Sequence, residues 1–260
     1  MKGQPGQRLV FGVMAGIARP LMNLLMAKTW TGFEKLPEGG FIACPNHVTE
    51  IDPVVVGHAF YNHGRLPRYL AKESLFKVPV LGNALRASRQ IPVTRSSSSA
   101  NGSLAVAREV LDAGDVIIIY PEGTLTRDPH EWPMRGRTGA ARLALQTGAP
   151  VVPIAHWGAQ QVLPRYGKSL KILPRKRVRV LVGEPVDLSD LRDLPLTRSV
   201  LDEATTRIMN ALTAQVASLR GETPPPTRWD PSEHGQSSTG RLSIDEKPAD
   251  DDDTAGGSTR

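Results

Sequence analysis

Short apolar runs alternating with amphipathic stretches set the pattern of the chain. Phe41-Ile42-Ala43-Cys44, Val116-Ile117-Ile118-Ile119 and Val151-Val152-Pro153-Ile154-Ala155 are continuous apolar runs of the length of a buried strand, each bounded by turn-forming or polar residues. Residues 67–72 and 91–93 predict two further strands, and Pro92 keeps the second away from a central position because it cannot donate to a ladder. Residues 177–182 alternate charged and apolar side chains, the period of a half-exposed edge strand. Residues 30–40 are turn-rich and predict a short strand with a hairpin, and residues 74–86 an irregular or helical stretch broken at Pro79. Helices are predicted from Pro53, over 104–111, over 139–146 with Gly148 closing it, and over 199–219 as one amphipathic helix. Strands alternating with helices predict an α/β fold with a mixed, largely parallel central sheet flanked by helices.

The two ends of the chain read differently. From Arg8 to Lys28 the residues are mostly apolar, but Arg19-Pro20 interrupts the run, whereas a bilayer span needs about 20 apolar residues. Lys2 and Arg8 ahead of an apolar run resemble a leader, yet the residues beyond stay apolar. The expectation for residues 1–30 is a helix or kinked helix pair in the membrane interface, with Arg8, Arg19 and Lys28 toward the headgroups. One face of such a helix can also cover the protein's own core. Residues 221–260 are rich in Pro, Ser, Gly and Asp, cannot bury a core, and predict a disordered acidic tail. Residues 31–220 are left as one catalytic domain.

Charge narrows the partners. The tail holds four Lys/Arg and nine Asp/Glu, so the other 28 Lys/Arg and 17 Asp/Glu leave +11 on residues 1–220, within a total of +6. A basic body suits phospholipid headgroups or a phosphorylated donor. Nucleic acid is the poorer fit, because aromatics are only 5% of residues and none is interleaved with the basic ones. A single cysteine rules out an internal disulfide, no Cys/His cluster has metal-site spacing, and the chemistry below asks for no cofactor.

The chemistry centres on Asn46-His47-Val48-Thr49-Glu50-Ile51-Asp52-Pro53. Residues five apart on one helix point away from each other. Pro53 disfavours helical geometry at Asp52 and suits a first helical position, so Asp52 reads as an N-cap and His47 as a loop residue able to fold back onto it. A carboxylate on one imidazole nitrogen fixes the tautomer and leaves the other nitrogen as a base. With no Gly-x-Ser-x-Gly elbow in the chain, the proton to be taken belongs to a substrate hydroxyl. A second polar cluster, Pro121-Glu122-Gly123-Thr124, ends the buried strand at 116–119, where α/β proteins place ligands.

Together, Asn46-His47-x4-Asp52-Pro53, Ile91-Pro92-Val93-Thr94-Arg95, Pro121-Glu122-Gly123-Thr124 and Ala149-Pro150-Val151-Val152-Pro153-Ile154 resemble, in order, the four blocks of the glycerolipid acyltransferase superfamily. The match is closest to bacterial 1-acylglycerol-3-phosphate (lysophosphatidic acid) acyltransferases. The resemblance implies transfer of a fatty acyl group from acyl-CoA or acyl-acyl-carrier-protein to lysophosphatidic acid at the cytoplasmic face of the cell membrane. It implies His47 and Asp52 as the catalytic pair, and acceptor binding by Arg95, Glu122, Gly123 and Thr124, with Lys72 assisting at the phosphate. Glu122 would orient an arginine or accept an acceptor hydroxyl, and backbone N–H groups near the loop and helix start would meet the oxyanion. The chain departs from the family where Leu125 stands in the place of an arginine. Arg127 is the nearest replacement, with Lys72, Arg135 and Arg137 as others. That departure keeps open another lysolipid or lipid alcohol as acceptor, and beyond enzymes a membrane-tethering lipid binder.

Overall fold

The computed structural model describes residues 5–93 and 100–237. A first helix α1 (Pro5–Leu25) leads directly into strand β1 (Met26–Thr31). Then follow β2 (Phe41–Pro45), α2 (Asp52–Asn62), β3 (Pro67–Lys72), α3 (Leu81–Ala87), β4 (Ile91–Val93) and α4 (Ala100–Asp112). The rest is β5 (Val116–Ile118), α5 (Gly139–Thr147), β6 (Val151–Trp157), β7 (Lys176–Val182) and α6 (Arg198–Arg220).

The strands form one seven-stranded sheet in the order β1-β7-β6-β2-β5-β3-β4. Every pairing is parallel except β6 with β7, so β1 and β7 run against the other five. The mixed, largely parallel sheet is the one the pattern predicts. Because successive side chains on β2 point to opposite faces, Phe41 and Ala43 join α1 and α2 while Ile42 and Cys44 join α4, α5 and α6. Both faces of the central strands are covered, which is why they read as continuous apolar runs.

Three expectations change. Residues 177–182 do alternate in burial, but β7 lies between β1 and β6 rather than at an edge. The edge on that side is β1, which begins at Met26, inside the stretch read as part of the N-terminal segment, and no hairpin follows it. Residues 223–237 are not free tail: Arg135 N donates to Trp229 O (2.9 Å), Arg135 Nη1 meets Asp230 Oδ2 (2.6 Å), and Trp229 stacks on His234. A backbone hydrogen bond and an ion pair to Arg135 tie this Pro-rich segment to the body, although composition alone marks it as unfolded. The rest of the predicted tail, 238–260, lies outside the described residues.

The N-terminal segment is one helix with Pro20 inside it. Phe11, Met22 and Leu25 are buried against the body, whereas Val13, Leu21 and Leu24 are exposed. Among the described residues no helix is long and apolar enough to cross a membrane.

Candidate active site

The site forms where β2 ends. After Pro45 the backbone is pinned by Asn46, whose side chain accepts from His156 N (2.9 Å) and donates to His156 O (3.1 Å). His156 answers with its own ring: Nε2 donates to Asn46 O at 2.6 Å. The loop is therefore buttoned to the end of β6 before it reaches His47.

His47 Nδ1 lies 2.9 Å from Asp52 Oδ2. The same oxygen accepts the backbone N–H of Val48 (2.6 Å) and Thr49 (2.8 Å), and His156 Nε2 stands 3.7 Å from it. Asp52 is completely buried. A buried carboxylate holding three donors stays an acceptor, which makes His47 Nδ1 the protonated nitrogen and Nε2 the basic one. The Tyr120 ring stacks on the imidazole with centroids 4.0 Å apart, fixing its plane.

Here the expected cap gives way. Helix α2 starts at Asp52 itself, with Ile51 in the cap position, and the Asp52 carboxylate turns back into the loop instead of bonding forward to the helix. The backbone donors named for an oxyanion are also largely taken. Val48 and Thr49 N–H bond Asp52, and the N–H groups of Asp52, Val54 and Val55 bond carbonyls of Thr49 and Ile51.

Glu122 is brought to the pair from β5. Its Oε1 accepts His47 N (3.1 Å) and its Oε2 accepts Met134 N (3.0 Å). Burial is the main influence on this carboxyl and pushes its pKa up to about 8, against the pull of the two backbone donors and Thr126. So Glu122 ties three loops together, a role the sequence did not reveal. His156 was missed as well; the available signal was a polar residue closing a fully apolar strand.

The remaining candidates divide. Gly123, at φ 74°, is exposed, and a Cβ there would come within 2.6 Å of Arg137 Cδ, so the glycine makes room for an exposed arginine lying across it. Thr124 is half-buried beside it. Arg127, the expected replacement for the family arginine, is fully buried along with Leu125, so neither faces the open side. Lys72 is the last residue of β3, paired with Val93 at the carboxyl edge of the sheet. Arg95 lies outside the described residues.

Residues 28–157, half of the chain, match the family model described as Acyltransferase. The chain is 27% identical over 158 residues to a chloroplastic 1-acyl-sn-glycerol-3-phosphate acyltransferase of Brassica napus, covering 60% of this chain and 44% of that protein. It is 28% identical over 192 residues to N-acylphosphatidylethanolamine synthase of Arabidopsis thaliana (69% and 63%) and 33% identical over 138 residues to 1-acyl-sn-glycerol-3-phosphate acyltransferase of Pseudomonas aeruginosa (52% and 51%). The matches thus span about half the length of these relatives. The crystal structure of the 1-acyl-sn-glycerophosphate acyltransferase PlsC from Thermotoga maritima superposes with a TM-score of 0.60 at 21% identity, over 84% of this chain and 83% of that one, which makes the fold the same. The matched span runs from β1 to the end of β6 and takes in His47, Asp52, Glu122 and His156, and with it the chain belongs to the acyltransferase family.

Proposed function

We propose that this chain is a 1-acylglycerol-3-phosphate O-acyltransferase, working at the cytoplasmic face of the cell membrane with an acyl-CoA or acyl-acyl-carrier-protein donor. The observation that carries the reading is the 2.9 Å His47–Asp52 bond, with Asp52 held by two backbone N–H groups. Nε2 of His47 takes the proton of the acceptor hydroxyl as that oxygen attacks the thioester carbonyl carbon. The tetrahedral adduct then collapses, the carbon–sulfur bond breaks, and the departing thiolate takes the proton from His47. Arg137, exposed across Gly123, is a cation next to this loop and is assigned the acceptor phosphate. Lys72 and Arg95 are kept as further phosphate ligands on the strength of the family blocks alone.

One observation favours a second reading. With Leu125 and Arg127 both buried, the third block offers no arginine of its own to a phosphomonoester. Another lysolipid, a lipid alcohol or the amine of phosphatidylethanolamine is then the acceptor. Purified chain with one acyl-CoA, offered lysophosphatidic acid beside other lysolipids and phosphatidylethanolamine, separates the two: phosphatidic acid as main product is expected, and no turnover of lysophosphatidic acid rejects the first reading. His47→Ala is expected to slow transfer by about 10² to 10⁴; an unchanged rate removes the mechanism and favours a lipid-binding tether.

A further inference from the structure

The connection from β6 to β7 leaves the sheet at the carboxyl edge of β2, the edge that carries His47. Its base is bolted to the site: Thr49 Oγ1 donates to Leu163 O (2.6 Å), and Arg165 Nη1 donates to Thr126 O (2.6 Å) and Asp128 O (2.8 Å). Its outer part does the opposite of what a soluble loop does. Leu170, Ile172 and Leu173 are 46%, 49% and 83% exposed, although turns of this kind are ordinarily polar.

This loop meets the end of α1. Lys176 pairs with Met26, and Arg175 Nη2 donates to Met26 O at 2.9 Å, so the end of the loop meets the residue that directly follows the helical turns carrying the exposed Leu21 and Leu24. Exposed Lys168, Lys171 and Arg175 flank the loop's apolar residues in sequence, while on the helix side Arg19 donates to Asn62 and lies over the Tyr61 ring, and Lys28 donates to Asn23. Among the described residues none of the five has a carboxylate within ion-pair distance. Lys28 is even held below its usual pKa by burial and by Arg175 and Arg19, as expected where positive charges crowd without a counter-ion. Exposed leucine and isoleucine side chains beside lysines and arginines that make no ion pair among the described residues suit a surface that is apolar within and anionic at its rim.

We propose that residues 168–176 insert into the headgroup–acyl boundary of an anionic lipid bilayer alongside the last turns of α1, setting the His47 edge of the sheet against the membrane. Docking in this way rests on the proposed function only for what is delivered there; the lipid surface itself is recognised by the loop. Substrate would then reach the imidazole from the bilayer side without crossing bulk water.

The full chain is tested with phosphatidylcholine vesicles with and without phosphatidylglycerol. Ile172→Ser with Leu173→Ser is expected to weaken sedimentation with the anionic vesicles at least about tenfold, the loss expected from keeping two large aliphatic side chains in water. Lys168→Gln with Lys171→Gln is expected to weaken binding and its salt dependence together. Cys44 is the single cysteine and is buried, so an environment-sensitive dye on Leu173→Cys reports from one site and is expected to shift to the blue on anionic vesicles. An unshifted dye with unchanged sedimentation of the serine variant overturns the proposal. So does a serine variant that turns a dimer into a monomer and binds vesicles as before, because the patch then covers a second copy. Absence of acyl transfer with normal vesicle binding rejects the proposed function and leaves the docking surface standing.

Discussion

The backbone N–H of His47 donates to Glu122 Oε1 at 3.1 Å, so the carboxyl group just past β5 holds the residue proposed as the base just past β2. Its other oxygen holds Met134 N. Glutamine has the same shape but only one accepting atom, so Glu122→Gln leaves one of two buried N–H groups facing an amide that also donates. A loss of about 1–3 kcal/mol is expected, read as a fall in Tm of about 2–4 °C per kcal/mol, with kcat down at least about tenfold because the imidazole shifts. A variant that melts and turns over like the parent would show that Glu122 holds nothing.

His156 poses a related test on the other side of the loop. His156→Leu keeps the bulk but leaves Asn46 O without its donor, while His156→Gln can place an amide N–H where Nε2 stood. The leucine variant is expected to lose kcat with little change in KM for the thioester, and the glutamine variant to recover most of it. Equal losses in both would assign His156 to packing alone.

Cys44 lies three residues before His47, but its thiol is fully buried and burial pushes its pKa up to about 12. The folded protein is therefore expected to resist alkylation at neutral pH, and Cys44→Ala to keep acyl transfer within a few-fold. Rapid labelling, or an acyl thioester trapped on the protein, would point instead to a covalent acyl-enzyme on Cys44.

His58 gives the fold a defined acid response. Its ring is buried edge-on to Trp30 (centroids 5.0 Å), and burial, then Lys28 and Arg19, lower its pKa to about 4 from 6.5. Between those two values the unfolded chain binds a proton that the folded one refuses, so this contribution is complete above pH 6.5 and is lost as pH falls toward 4. The difference in unfolding free energy between wild type and His58→Gln is expected to shrink over that window. Parallel profiles across it would place the acid sensitivity elsewhere.

Much of this was readable beforehand because apolar runs and proline positions act locally. The strand before Asn46, the helix after Asp52 and each of the four blocks taken singly follow from residues within ten positions of one another. What escaped is what joins distant parts. His156 reaches Asn46 across 110 residues, and nothing in either neighbourhood announces the other. Asp52 was read as a cap because a carboxylate before proline usually bonds forward; the N–H groups of Val48 and Thr49, already folded toward it, compete for the same oxygen and win. β7 was read as an edge because its charged face is exposed, but that exposure reports the uncovered face of a strand and says nothing about its neighbours.

The clasp between Asn46 and His156 also has a meaning for biosynthesis. When the first block has been made the Asn46–His156 clasp cannot yet form, because its partner on β6 comes 110 residues later in the chain. The strap at Trp229 and Asp230, which steadies the loop under Glu122, comes later still. A nascent chain that holds only the first block thus carries the His47–Asp52 pair without the distant contacts that fix its loop.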